Sequence, residues 1–200
     1  PTSVEEIGYE LYPKNGDQMW DAYKKYSLGI DFDADEKTTY CGYGFYHGFM
    51  ESLLAIDNDL NKAREFCIYI DQKVMGGRGN AQLACYHGIG HGVVDGSDPR
   101  AWGDADALLE PGFLMCDLMK DNDNQKYLCG TGMYNAIGIA YMTKEFGLTP
   151  PEDPYFLCRE QEDQNYKRAC FEQMNGLAFQ VEANDLINTL QYAADTIDDD

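Results

Sequence analysis

Several features that would place this sequence of 200 residues in a familiar class of protein are missing from it. No stretch approaches the roughly 18 consecutive apolar residues of a membrane-spanning helix, so membrane insertion is not expected. No run alternates with the period of two that marks a half-buried strand, which argues against a β-sheet. No nucleophile elbow, phosphate-binding loop or dinucleotide fingerprint appears, so metal chemistry is the one route to an enzymatic activity that the sequence supports.

Basic residues are also scarce, since 15 Lys and Arg stand against 35 Asp and Glu and give a formal net charge of -20. A surface of this charge repels phosphate backbones and anionic lipids, so nucleic acid is not expected as a partner. The acids serve solubility or bind divalent cations such as calcium. The aspartate-rich segments 31–35 and 121–123 would suit calcium, but Gly42 and Gly132 stand where an EF-hand loop needs its bidentate glutamate.

Four of the seven cysteines mark an internal repeat. Cys41, Cys85 and Cys129 are spaced 44 residues apart, and Cys170 follows 41 residues later. They open the related segments CGYGFYHGFME, CYHGIGHGVVD, CGTGMYNAIG and CFEQMNG. Because the apolar residues between them recur with helical spacing, this period predicts a repeat of helix pairs in which no unit buries its apolar face alone.

The predicted fold is therefore all-α, with four disulfide-stapled helical hairpins in a single repeat domain over residues 1–200. The hairpins form an α-solenoid or a closed α/α ring, with capping helices at both ends. The predicted units cover residues 17–56, 57–96, 101–146 and 151–180, and the C-terminal capping helix covers 184–197. The first helix of the third unit is predicted to break at Pro111–Gly112, and the second helix of the fourth unit to run over 164–180.

The second helix of each unit is rich in glycine. Glycine inside a helix costs about 1 kcal/mol relative to alanine, so its repeated use needs a reason. Packing of the second helices side by side as an inner layer supplies one, because a missing Cβ lets two backbones approach closely. The alternative is that the glycine stretches are loops and that each helix begins later.

The other three cysteines each precede a repeat cysteine by 12 to 18 residues of polar turn sequence. This spacing predicts three disulfides, each closing one helical hairpin: Cys67–Cys85, Cys116–Cys129 and Cys158–Cys170. Zinc ligation by thiolates would normally show CxxC pairs, which the sequence does not contain. Disulfides indicate an oxidising compartment, so the protein is expected to be extracellular, periplasmic or on the cell surface.

Cys41 has no cysteine at the corresponding distance before it. It is predicted to be an unpaired, buried thiol, which is the usual environment of free cysteine. The alternatives are a bridge to another molecule and a bridge to a cysteine removed with a processed N-terminus. The sequence begins at Pro1 without a methionine, which is consistent with such processing.

All three histidines of the chain, His47, His87 and His91, lie within the first two repeat segments. Each of the two segments has a His-Gly pair six residues after its cysteine and an acid four residues after that histidine, Glu51 in the first and Asp95 in the second. Residues four apart share one face of a helix. If the two second helices pack directly, three imidazoles and two carboxylates converge and suit a first-row divalent metal, Zn, Fe, Mn or Cu.

A structural interpretation competes with this metal site. His47 and His91 align with Asn135 in the third repeat, and Asn175 falls one residue short of the same offset in the fourth. These four side chains would then form an interior ladder of hydrogen bonds to the next unit, or would line a cleft for another ligand. Two functions follow: a secreted metalloprotein, with Glu51 or Asp95 as ligand or general base, and a structural subunit of a surface layer or filament that self-assembles or binds a protein partner.

Overall fold

The computed structural model describes residues 48–50, 52–54, 59–69, 81–119 and 123–198. All regular secondary structure in these ranges is helical and none of it is strand, which confirms the all-α prediction. The chain divides into two compact units, Pro1–Gly96 and Ser97–Asp200, so the boundary falls between the second and third predicted hairpins. The arrangement of four hairpins in one repeat domain stays a prediction.

The first unit contains a helical hairpin made of α1 (Leu60–Tyr69) and α2 (Ala81–Asp95), and residues 48–50 and 52–54 are also helical. Asp59 starts α1, because its Oδ1 accepts a 2.9 Å hydrogen bond from the backbone N–H of Asn61. The two helices pack against each other. Phe66 of α1 is fully buried and lies 4.6 Å, between ring centroids, from Phe49.

The second unit contains six helices within its described residues. They are α3 (Ala105–Asp117), α4 (Asp123–Thr143), α5 (Phe156–Arg159), α6 (Gln164–Gln173), α7 (Asn175–Val181) and α8 (Leu186–Asp198). Short 3₁₀ turns lie at Pro99–Ala101 and Glu145–Gly147. Helix α4 packs against α3, α6 and α7 and is buried on almost every side between Cys129 and Tyr141. This environment fits its sequence, because a helix that is apolar all round cannot face solvent.

Three disulfides close the three described hairpins. They are Cys67–Cys85 between α1 and α2, Cys116–Cys129 between α3 and α4, and Cys158–Cys170 between α5 and α6. Their Cα–Cα distances are 5.5, 5.7 and 5.3 Å, within the usual range for a disulfide. These are the three pairs that the cysteine spacing predicts. Cys41 lies outside the described residues.

Three predicted helix boundaries in the second unit are wrong. Helix α3 does not break at Pro111–Gly112 but continues through Pro111 to Asp117. The proline removes one backbone donor, yet the helix is anchored on both sides, since Leu108 and Leu109 are buried before the proline and Cys116 is bonded to α4 after it.

The predicted helix over 164–180 is interrupted at Met174, which separates α6 from α7. The side-chain amide of Asn175 donates to the backbone carbonyl of Glu172 at 3.2 Å, so a polar side chain competes with the helical hydrogen bonds here. The C-terminal capping helix begins at Leu186, because Asn184 adopts a left-handed conformation with φ of 63° and Asp185 caps the helix instead.

Close packing at glycine is present where α4 meets α6. A Cβ on Gly130 would lie 2.9 Å from Cδ1 of Tyr166 and 3.3 Å from Cβ of Ala169, so the two helices pack too closely for a side chain there. The prediction that second helices pack side by side therefore holds for the third and fourth hairpins.

A charged network joins α3, α4 and the start of α6. Lys126 Nζ lies 2.6 Å from Asp163 Oδ2 and 2.9 Å from Asp117 Oδ1, and the Tyr166 hydroxyl donates to the same Asp117 oxygen at 2.9 Å. Lys126 also lies 4.6 Å above the centre of the Tyr166 ring. Burial alone would lower the pKa of Lys126, but its hydrogen bonds to Asp163 and Asp117 outweigh burial and raise it. We call these four residues the Lys126 network.

Candidate metal site on helix α2

Helix α2 brings His87 and His91 together. They are one helical turn apart, and their ring centroids are separated by 5.1 Å with an interplanar angle of 48°. His91 is buried, with 4% of its surface exposed, whereas His87 is half-buried. The disulfide from Cys85 to α1 fixes the helix two residues before His87. The pair is thus held on a covalently anchored helix.

Two imidazoles at this spacing are chemically able to chelate a metal ion through two nitrogens. Histidines four residues apart on a helix direct both imidazoles to the same side, the spacing that several metalloproteases use for zinc. Imidazole nitrogen also suits copper, iron and nickel, so the pair alone does not select one metal. Two nitrogens leave at least two coordination positions for other ligands or water.

The remaining predicted ligands do not complete the site within the described residues. Asp95 is the last residue of α2 and is exposed. No group of three or more His, Cys, Asp or Glu side chains in the described ranges is arranged to hold a metal ion. His47 and Glu51 lie outside these ranges, and the convergence of all five side chains stays a prediction.

The hydrogen-bond ladder can be checked at its two asparagines. Asn135 donates from Nδ2 to Oε1 of Gln173 at 3.1 Å, a bond that links α4 to α6 as a ladder of hydrogen bonds to the next unit requires. Asn175 accepts a 2.7 Å hydrogen bond from the hydroxyl of Tyr155, and this bond ties α7 to the segment before α5. The amides therefore act as structural cross-links in the second unit.

The calcium prediction stays a prediction. Segment 31–35 and residues 121 and 122 lie outside the described ranges. Asp123 is the first residue of α4, and its carboxylate accepts a 3.5 Å hydrogen bond from Nδ2 of Asn165. Nothing in this geometry adds support for calcium.

Sequence reasoning missed the Lys126 network and the exposed aliphatic side chains of α8. The network was hidden because its members are distant in sequence and only meet when three helix ends converge. The aliphatic residues after Asp185 recur every three to four positions, and this spacing predicts an amphipathic helix. It does not predict which face of that helix is exposed to solvent.

Comparisons with protein-family models, with curated proteins and with solved structures find no significant match to this chain. None of the helices in the described part of the chain combines the length and the apolar character needed to cross a membrane.

Proposed function

We propose that this chain is a secreted or cell-surface helical repeat protein that binds a first-row divalent transition metal, Zn, Fe, Mn or Cu, through His87 and His91. The observation that carries the proposal is the pairing of these two imidazoles on α2, with ring centroids 5.1 Å apart and one ring buried.

The repeated sequence pattern supplies the rest of the proposed site. His47 and Glu51 stand at the offsets of His91 and Asp95 in the preceding repeat. In a stack of equivalent second helices they would approach the imidazoles of α2 and raise the number of ligands to three or four. A bound metal would lower the pKa of a coordinated water, and Glu51 would be placed to accept its proton.

The disulfides support the proposed compartment. Bonds of this kind persist in secreted, periplasmic and cell-surface proteins and are rare in the reducing cytosol of most organisms. Three of them in the described residues support an extracytoplasmic protein.

Metal analysis of protein made without a histidine tag tests the proposal. The decisive variant is His87→Thr/His91→Asn, which introduces the residues that α4 carries at the same offsets, Thr131 and Asn135. We expect stoichiometric metal in the native protein after dialysis against a metal-containing buffer, and its loss in the double variant. His47→Ala should weaken binding, because it removes a proposed third nitrogen.

The matched control is Asn135→Ala, which changes the equivalent position of α4 and should leave the metal content unchanged. Circular dichroism and titration of free thiols would show that each variant keeps its helices and disulfides. Absence of metal from the native protein under metal-replete conditions, or full occupancy in the double variant, would refute the proposal.

A structural or interaction subunit of an extracellular assembly is the second candidate. The hydrogen bond from Asn135 to Gln173 favours it, because this bond shows that the aligned polar position can serve helix packing alone. Light scattering across salt and protein concentrations tests this candidate, together with a search for a reducible dimer through Cys41. A strict monomer under all conditions would count against it.

A further inference from the structure

Two aromatic rings meet on the surface of the second unit, where the loop before α3 contacts the loop after α4. The rings of Trp102 and Phe146 are 5.8 Å apart between centroids, with an interplanar angle of 58°. Trp102 is 52% exposed, which is unusual for tryptophan, and Phe146 is half-buried. We call Trp102 and Phe146 the aromatic corner.

The backbone holds the aromatic corner in place. The N–H of Gly103 donates to the carbonyl of Phe146 at 2.7 Å, and this bond ties the two loops together next to the rings. Phe146 adopts a left-handed conformation, with φ of 49° and ψ of 24°. Such a conformation is strained for a bulky side chain and persists only where the surrounding structure imposes it. The contact between the loops therefore fixes the Phe146 ring beside Trp102 against its local preference.

Acidic side chains flank both rings. Asp104 and Glu145 lie within two residues of the aromatic corner in the sequence, and both are exposed. The loop before α3 also contains Arg100, but its guanidinium binds Asp98, with Nε at 3.0 Å and Nη2 at 2.6 Å from Oδ2. Asp98 and Arg100 thus neutralise each other and leave the charge of the other acids uncompensated.

The end of α4 adds to this negative potential. Burial, and then the charges of Asp106 and Asp104, raise the pKa of Tyr141 to about 12, so both acids lie near the last turn of α4. The carbonyl end of a helix is itself negative. Three acids, Asp104, Asp106 and Glu145, stand against one further basic residue, Lys144, in these loops. The surroundings therefore favour a positively charged ligand.

Other aromatic rings of this unit already have a cation of the chain over them. Arg168 lies 4.5 Å above the centre of the Tyr127 ring, and Lys126 lies 4.6 Å above that of Tyr166. Over the rings of the aromatic corner, no cation from the described part of the chain is found at such a distance. The corner thus presents aromatic faces in acidic surroundings without a cation of its own there.

The angle between the rings favours a rounded ligand over a flat one. A sugar ring stacks best on one flat aromatic platform, whereas two faces inclined at 58° can both contact a compact group. A quaternary ammonium group spreads its charge over methyl groups, so it is attracted by aromatic faces and by nearby carboxylates at the same time.

We propose that Trp102 and Phe146 bind the quaternary ammonium group of a small organic cation, and that Asp104 and Glu145 supply the complementary charge. The aromatic corner and the proposed metal site on α2 belong to different compact units. This inference does not rest on metal binding, so either proposal can fail without the other.

Titration of the full chain with choline tests the proposal. The matched probe is dimethylbutanol, the neutral isostere in which carbon replaces the charged nitrogen of choline. Saturation-transfer NMR on the methyl protons of each probe measures binding. We expect choline to bind with a dissociation constant in roughly the millimolar range, because the corner is open to solvent, and the isostere to bind about tenfold more weakly.

Variants of the two rings locate the site. Trp102→Ala should abolish saturable binding, because it removes the larger face. Phe146→Gly should weaken binding about fivefold while keeping the loop, since glycine adopts a positive φ without strain. The matched control is Phe179→Ala, which removes a single aromatic ring of α7 that is 37% exposed and should leave the affinity unchanged. Circular dichroism would check the helix content of each variant.

A charge variant leaves every ring in place, so it tests the proposal even if Trp102→Ala fails to fold. Asp104→Asn/Glu145→Gln should weaken choline binding about threefold and leave binding of the isostere unchanged. Asparagine at position 104 still accepts the capping hydrogen bond that Asp104 receives from the backbone N–H of Ala107.

Four outcomes would overturn the proposal. Absence of saturable choline binding by the native protein up to roughly 50 mM would remove the site. Equal affinity for choline and its isostere would mean that the rings make apolar contacts only. Unchanged binding in Trp102→Ala would place the cation elsewhere. Binding of methyl glucoside that exceeds that of choline and is lost in Trp102→Ala would make the aromatic corner a sugar site.

Discussion

Helices α2 and α4 each carry a disulfide-bonded cysteine, and they have different side chains two and six residues after it. At these offsets α2 has His87 and His91, whereas α4 has Thr131 and Asn135. Thr131 donates to the backbone carbonyl of Leu128 at 2.6 Å, and Asn135 reaches across to α6. In α4 a hydroxyl and an amide therefore occupy these two offsets, and the amide serves the contact between α4 and α6.

Removing a disulfide is expected to have the largest effect on the free energy of unfolding. The loss should be similar for the bond of α2 and the bond of α4. The bonds of α2 and α4 close segments of 18 and 13 residues. Loop-closure entropy of this size contributes about 3 kcal/mol to the free energy of unfolding. Cys67→Ala/Cys85→Ala and Cys116→Ala/Cys129→Ala should each lower it by about that amount, measured by guanidinium unfolding followed by circular dichroism. A loss in one pair only would show that the two hairpins are not equivalent.

Metal binding should distinguish α2 from α4, because only α2 carries the proposed ligands. Its expected effect on the free energy of unfolding is only slightly smaller than that of a disulfide. A ligand at one hundred times its dissociation constant stabilises the folded state by about 2.7 kcal/mol. We expect metal to raise the melting temperature of the native protein by the corresponding amount and to leave His87→Thr/His91→Asn unchanged. Addition of a chelator to the native protein is the control. Equal stabilisation of the native protein and the double variant would place the metal elsewhere.

The sequence predicts the local features of both hairpins well. The disulfide pairs follow from short cysteine spacings, and the helices follow from the 3.6-residue periodicity, because both depend on neighbours in the chain. The continuation of α3 through Pro111 could not be predicted, since it depends on how Leu108, Leu109 and Cys116 pack against other elements. The Lys126 network was unpredictable for the same reason.

The candidate site is less predictable than the fold. Helical spacing does place His87 beside His91, and the structure agrees. It also places Asp95 on the same stripe, but this residue lies at the exposed end of α2, where no third ligand is assembled within the described residues. Any ligands beyond the two imidazoles depend on how α2 packs against the preceding repeat, and the spacing of residues along one helix does not specify that packing.

Because α4 is closely packed, we expect an alanine at one of its glycines to lower the free energy of unfolding by about 2 kcal/mol. Gly130→Ala would place a Cβ 2.9 Å from the Tyr166 ring, and overpacking of this kind destabilises by roughly 1–3 kcal/mol. Gly138→Ala is the matched control, because its Cβ would lie 3.6 Å from Sδ of Met174, an ordinary contact. The control should be neutral or stabilise by up to about 1 kcal/mol. Thermal unfolding of both variants distinguishes a close helix contact at Gly130 from a general intolerance of α4 to added side chains.

The smallest effect on stability is expected from the Lys126 network. At the offset of Lys126, the sequence of α2 has Gln82. Lys126→Met leaves two carboxylates without their cation. Asp117 and Asp163 are 53% and 38% exposed and are screened by solvent, so we expect a loss of about 1 kcal/mol at neutral pH.

The pH dependence of that loss identifies its cause. Burial would raise the pKa of Asp163, but the hydrogen bonds from Lys126 and from the backbone of Asn165 and Tyr166 lower it below its ordinary value of 3.8. The carboxylate's contribution is therefore complete above pH 3.8 and is lost as the pH falls through the lower folded value. The pKa of Lys126 is raised above 10.5, so its contribution disappears only as the pH rises beyond that. The difference in melting temperature between the native protein and Lys126→Met should be constant from about pH 5 to pH 9 and shrink below about pH 4. A difference that persists in acid would mean that packing of the lysine stem, and not its charge, stabilises the contact between the three helices.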